Sequence, residues 1–254
     1  MHAYMLVLRH YWVLKRNRPW GLIVNGVFEP FLYLLSIGLG IGQLVSTFTD
    51  HGRAVTDYAA FVAPALLATS AMNSAIYETT NLVWFRLRFE KVYDAIVTTP
   101  MTPTDVGHGE IVAAMLRGAL ASSCFLGVIA ALGLVHSLWA LLVIPGALLV
   151  AFAFAAGGLA AATFIKAQHH HQYLQLVMLP MFLFATTFYP LSVYPALLRG
   201  IVVCLPLYHA IELLRSVCMG QFGAPLLIST VYLVLFGAAS VWLADRRLTR
   251  MLVY

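Results

Sequence analysis

The chain has 254 residues, of which 61% are hydrophobic and only 10% charged, with a formal net charge of +5. A soluble domain of this size has too little interior to hide that much apolar surface, so the composition excludes a soluble enzyme or binding module and defines an integral membrane protein. Its length is therefore counted in spans of about 20 apolar residues, the number that crosses a hydrocarbon core of roughly 30 Å.

Residues 1–20 carry Arg9, Lys15, Arg16 and Arg18 among Tyr4, Tyr11 and Trp12, without the small-residue cleavage site of a removable signal. They are expected to form an amphipathic interface helix ended by Pro19. Apolar runs follow at 21–44, 58–82, 106–134, 138–165, 173–189 and 225–244. The fold class read from them is all-α and polytopic, with six transmembrane helices and re-entrant extracytoplasmic helices between spans five and six. Eleven of the fifteen Lys and Arg residues fall in the N-terminal segment, the 84–105 loop, the 166–172 loop and the tail. Arg53, Arg199 and Arg215 fall on the opposite side, so the positive-inside bias predicts that both termini are cytoplasmic. A seventh span over 196–219 would translocate the arginine tail and bury charges at roughly 2.5 to 3.5 kcal/mol each.

Between spans two and three, Phe89, Val92, Tyr93, Ile96 and Val97 recur at helical spacing, with Glu90, Lys91, Asp94 and Thr98 on the remaining surface. That pattern predicts a short amphipathic cytoplasmic helix stopped by Pro100, suited either to docking a partner or to lying at the interface. Thr102, Pro103 and Asp105 then have the spacing of a capping box with proline at the first helical position. Glu29, Glu78, Glu110 and Arg117 lie in or near spans, which makes them functional candidates. For Glu78 and Glu110 the expectation is a cytoplasmic helix end reached by water. Glu110 and Arg117 share a helix face but lie about 10 Å apart along it, so each is expected to bond to a neighbouring helix.

Span five has 17 residues, about 25 Å of helix, and is short for a crossing. Pro190, Pro195 and Pro206 interrupt the chain beyond it, so 190–220 is expected to return as two short helices, about 196–204 and 207–219, resting on the outer face as a lid. There Glu212 and Arg215 can pair locally. Phe184, Phe188 and Tyr189, with Phe28, Glu29 and Tyr33 of span one, are candidates for the translocation path or gate; lipid-facing aromatics are the competing reading.

Several other signals are weak. The GLGIG at 38–42 has no preceding strand and fits close helix packing. His169, His170 and His171 are consecutive and splay around a helix, so no metal site is expected. Cys204 and Cys218 could form a disulfide, but buried thiols are the expected state. No catalytic motif is present, and none of Lys15, Lys91 and Lys166 follows a phosphate-loop glycine pattern, so the chain is not expected to be an enzyme or to bind ATP itself.

The stretches FVAPALLATSAMNSAIYETT (61–80), VTTPMTP (97–103), FYPLSVYP (188–195) and LPLYHAIELLR (205–215) resemble the ABC-2 permeases of ABC exporters. Within that family the chain is most similar to permeases of nodulation-factor lipo-oligosaccharide export, daunorubicin resistance and polysaccharide export. The triple histidine departs from the family pattern. The resemblance implies one transmembrane domain over 1–254, in the bacterial inner membrane, that dimerises with an identical or different permease. It further implies two copies of a cytoplasmic ATPase subunit that binds the ATP and Mg, contact with membrane lipid and none with nucleic acid, and export of an amphipathic, lipid-linked or glycosylated substrate or drug. Residues 86–100 would be the coupling helix, with Phe89, Glu90, Lys91, Tyr93, Asp94 and Thr98 at the ATPase and the basic N-terminal helix as a second lever. A gradient-driven carrier, for which no internal repeat is evident, and a membrane metal or haem enzyme using His108, His136, His169, His170, His171 or His209 are the alternatives.

Overall fold

The computed structural model describes residues 28–40, 48–50, 53–55, 58–90, 93, 101–133, 142–165, 171–220 and 222–253. The segment with Arg9, Lys15, Arg16 and Arg18 that is expected to be a helix, the candidate contacts Lys91, Asp94 and Thr98, and His136, His169 and His170 lie outside them. Helix α1 (Glu29–Gly40) is followed by a three-residue hairpin, β1 (Phe48–Asp50) against β2 (Arg53–Val55), antiparallel with Phe48 opposite Val55. Apart from that hairpin, every element of the described residues is helical, and the all-α class holds. Helix α2 (Tyr58–Tyr77) passes through a π-helical segment (Glu78–Leu82) into α3 (Val83–Arg88). Then come α4 (Pro103–Ala131), α5 (Val143–Ala162), α6 (His171–Phe184), a 3-10 turn (Leu191–Val193), α7 (Ala196–Val203), α8 (Pro206–Cys218) and α9 (Ala224–Val253).

Four of these stretches are long and apolar enough to cross a membrane: Tyr58–Leu87, Pro103–Ala131, Val143–Ala162 and Ala224–Met251. The pair α7 and α8, bent by 83°, makes a fifth if counted as one broken span. The bundle is built around α2, which is buried from Phe61 to Met72 on every side. It packs against α1, α4, α5 and α8, while α9 lies along α5 and α8 with most of its apolar surface outward. Small residues allow the close approach. A side chain at Gly118 would place its first carbon 2.8 Å from that of Ala151, and one at Gly158 would collide with the Thr79 hydroxyl.

The start of α4 follows its sequence signal. The Thr102 hydroxyl accepts from the Asp105 backbone N–H at 3.2 Å, and the Asp105 carboxylate accepts from the Thr102 N–H at 3.1 Å, a capping box with Pro103 at the first turn.

The end of span five does not follow its signal. Helix α6 covers 14 residues and stops at Phe184, not at Pro190. Thr186 takes a φ of 61°, in the left-handed region that β-branched residues avoid. The turn is clamped from outside, where Arg215 Nη2 donates to the Thr186 carbonyl at 3.0 Å and the Tyr58 hydroxyl to the Phe188 carbonyl at 2.9 Å, and from within, where the Thr187 hydroxyl donates to the Phe182 carbonyl at 2.7 Å. The second short helix, α8, is enclosed by its neighbours. Every residue of α8 from Leu207 to Val217 is buried, Glu212 and Arg215 included, and the Arg215 guanidinium lies 3.8 Å from the Phe61 ring centroid. Arg199 does face outward, and its Nε and Nη2 donate to the Tyr194 and Ser192 carbonyls at 2.7 and 2.6 Å. Cys204 and Cys218 are both free thiols.

A left-handed threonine costs on the order of 1 kcal/mol or more that glycine does not incur. Thr186→Gly is therefore expected to raise the thermal unfolding midpoint of the detergent-purified protein. Thr187→Gly, which removes a buried hydrogen bond at ordinary φ, is expected to lower it in the same scan.

Candidate functional site: a buried charge relay

The ionisable residues singled out from the spans meet in one place. Glu78 and Glu110 are each 1% exposed, so the expectation that water reaches them is corrected: the protein itself solvates them. Arg86 bridges the two carboxylates, with Nη1 2.7 Å from Glu110 Oε2 and Nη2 3.5 Å from Glu78 Oε1. Arg117 donates to the other oxygen of Glu78. The Tyr93 hydroxyl donates to Glu110 Oε1 at 2.8 Å. The result is a continuous relay, Arg117 to Glu78 to Arg86 to Glu110 to Tyr93, with two positive and two negative groups.

Neutrality explains why the cluster is tolerated. An isolated buried ion costs several kcal/mol even after relaxation, whereas paired ions with their remaining lone pairs hydrogen-bonded recover most of that cost. Glu110 and Arg117 do not pair with each other; each reaches across to the antiparallel α2–α3 strut, as their separation along α4 predicts. Tyr93 is 1% exposed. Burial, reinforced by the Glu110 carboxylate, holds its phenol well above the usual range, so it stays protonated as a donor.

Arg86 is the member that the sequence did not single out. In an unbroken α-helix, residues 78 and 86 would lie about 80° apart around the axis. The wider π turn takes up one extra residue, which rotates Arg86 back by about 100° onto the face of Glu78. Thr79 and Thr80 serve that turn by donating to the carbonyls of Ala75 at 2.9 Å and Ile76 at 2.6 Å, two of the acceptors near the changed ladder. The only advance signal is ETT at 78–80, and alone it does not distinguish a π turn from a helix. Just beyond, Trp84 Nε1 donates to the Ile165 carbonyl at 3.0 Å, bolting α3 to the end of α5.

The remaining candidates are dispersed. Tyr33 and Phe188 both pack on Phe182, at centroid distances of 5.9 and 5.3 Å, whereas Phe28, Phe184 and Tyr189 are exposed on the outer surface of the chain. Glu29 opens α1. Phe89 and Glu90 are exposed at the end of α3, where the Phe89 ring stacks on Phe85 at 5.2 Å. His171 packs edge-on against Trp84, His209 stacks on Tyr232 and His108 meets Asp245. Among the described residues no three His, Cys, Asp or Glu side chains are grouped to hold a metal ion.

Long apolar helices packed around a neutral ion relay define a multi-pass membrane protein whose cross-membrane helices are coupled by charge. Residues 2–219 match the family described as ABC-2 type transporter. The chain belongs to that family, and with it to the permeases of ABC transporters, which move a substrate without being enzymes themselves. It is 28% identical over 253 residues to Nodulation protein J of Rhizobium leguminosarum bv. viciae, covering 97% of this chain and 95% of that one. To Nodulation protein J of Bradyrhizobium diazoefficiens it is 30% identical over 233 residues, covering 90% and 87%.

Removing one member of a buried ion pair typically costs about 3–5 kcal/mol because its partner is left uncompensated. Glu78→Gln and Arg117→Gln are each expected to lower the unfolding midpoint in detergent markedly. The double variant, which removes both charges together, is expected to recover part of the loss, and a double-mutant cycle on the same melts reads the coupling.

Proposed function

We propose that the chain is the permease of an ABC exporter in which the relay transmits nucleotide-driven movement from the cytoplasmic loop to the spans. The observation that carries this reading is the hydrogen bond from Tyr93 to Glu110. It ties Tyr93, which falls within the proposed coupling helix over 86–100, to α4 and, through Arg86 and Glu78, to α2. A push on the segment by an ATPase subunit would then move two spans together. Phe89, Glu90, Lys91, Asp94 and Thr98 are the proposed ATPase contacts, and the segment with Arg9, Lys15, Arg16 and Arg18 is the second lever; Tyr93, expected among the contacts, is buried against Glu110 and so serves as the inner link instead.

The topology that goes with this function has six spans, with both termini in the cytoplasm of a bacterial cell and 190–220 returning on the outer side. Two ATPase copies carry the ATP and Mg, and a second permease, identical or related, completes the path. The gate comprises Phe28, Glu29, Tyr33, Phe184, Phe188, Tyr189, Glu212 and Arg215. The buried guanidinium of Arg215 over Phe61, and its hydrogen bond to the turn at Thr186, support a gate whose closed position is held from within the bundle. An amphipathic, lipid-linked or glycosylated cargo is the reading supported by the similarity to Nodulation protein J and by the aromatic surface near that turn.

The test is transport in proteoliposomes holding this chain with its ATPase. Tyr93→Phe removes one hydrogen bond to a buried carboxylate, worth about 1.5 kcal/mol or more, and is expected to lower the transport obtained per ATP hydrolysed by roughly tenfold. The ATPase should stay bound and hydrolyse ATP at close to the unaltered rate. Normal coupling in Tyr93→Phe would refute the relay, and transport by the unaltered chain without any ATPase would refute the exporter.

A further inference from the structure

The C-terminal helix α9 changes character at Ala244, where an apolar run gives way to DRRLTR. Trp242, Arg246 and Arg250 recur every fourth residue and so form one stripe along the helix. Trp242 is 57% exposed, and Arg246 and Arg250 are exposed. Farther up the same sector lie Val231 and Leu235, exposed at 56% and 64%. The stripe is thus apolar, then aromatic, then basic.

The geometry of Arg246 is specific. Its guanidinium carbon lies 4.1 Å from the Trp242 ring centroid. A guanidinium stacked by its face keeps its N–H edge available for a bidentate oxyanion. The charged and polar groups on the other sides of the helix are engaged elsewhere. Asp245 Oδ2 lies 3.2 Å from His108 Nε2, Arg247 stacks on Phe164 at 3.8 Å and donates to the Thr163 hydroxyl at 3.2 Å, and Thr249 donates to the Asp245 carbonyl at 2.8 Å. Among the described residues no carboxylate forms an ion pair with Arg246 or Arg250.

We propose that Trp242, Arg246 and Arg250 form a binding site for the headgroup of an anionic phospholipid. The two guanidiniums hold the phosphate, the indole lies at the level of the glycerol, and an acyl chain runs along Leu235 and Val231. An indole at the headgroup zone and arginines just beyond it are matched to the depth profile of a bilayer leaflet. An aqueous anion would have no use for the apolar half of the stripe, and that half favours a lipid over free phosphate. The site does not depend on the exporter reading.

Native mass spectrometry of the full-length chain in detergent tests the proposal, with palmitoyl-oleoyl phosphatidylglycerol, phosphatidylcholine of the same chains and inorganic phosphate as separate probes. The unaltered chain is expected to retain phosphatidylglycerol over phosphatidylcholine. Arg246→Gln combined with Arg250→Gln should weaken phosphatidylglycerol about fivefold per guanidinium removed, the ratio that a basic residue near an anionic surface implies. Phosphatidylcholine retention should not change, and Trp242→Ala should loosen phosphatidylglycerol as well. Should the glutamine pair fail to fold, Arg250→Gln alone, exposed in the last turns of the helix, carries the same test with a single fivefold drop. Equal retention of the two lipids by the unaltered chain, full phosphatidylglycerol binding by the glutamine variants, or its displacement by millimolar phosphate would each overturn the proposal.

Discussion

Two carboxylates and two guanidiniums inside an apolar bundle must neutralise one another, and much of this structure is arranged around that requirement. Glu78 and Arg86 reach Glu110 and Arg117 only if α2–α3 and α4 run antiparallel in one register. A slip of a single turn, about 5.4 Å, would separate both pairs and leave charges uncompensated. The relay therefore does for register what an apolar seam cannot, because alanine and leucine contacts are nearly as favourable one turn away. It also extends to Tyr93, outside the long apolar helices, so the setting of the bundle is tied to the position of that residue.

The second constraint is the clamped turn after α6. Ordinary helix ends use glycine to enter the left-handed region, whereas here a threonine is held there by contacts from α2 and α8. Arg215 is the link, since the same guanidinium covers Phe61 in the central helix and binds the Thr186 carbonyl. The two ends of the central helix region thus carry related devices. Near one end, buried ions join the spans to the loop; toward the other, a buried arginine joins the core to the return segment.

Much of the fold was legible in the chain. Apolar runs located four long helices, because burial in lipid or protein demands a continuous apolar surface whatever the partners are. The capping box at Thr102 and Asp105 was readable because it is closed within four residues. The two short helices after Pro195 and Pro206 were readable because proline fixes where a helix begins. The burial of α8 was not readable. Its charged residues suggest a solvated surface, and only the neighbours that enclose Glu212 and Arg215 reverse that reading.

The sequence by itself determined that this is a multi-pass membrane protein of the ABC-2 type, that Glu78, Glu110 and Arg117 are exceptional, and that Glu110 and Arg117 bond to other helices and not to each other. The membrane class rests on composition, the ABC-2 type on the resemblance of the stretches at 61–80, 97–103, 188–195 and 205–215, and the helix contacts on spacing along one helix, all of them local properties. Tertiary structure decided that all three share a site with Arg86 and Tyr93, that water does not solvate the carboxylates, and that α6 runs into a turn with a strained threonine. The physical reason is common to all of these. A π turn shifts the angular position of every residue beyond it, a left-handed residue is held by partners remote in sequence, and the cost of a buried charge is set by what the neighbouring helices place beside it.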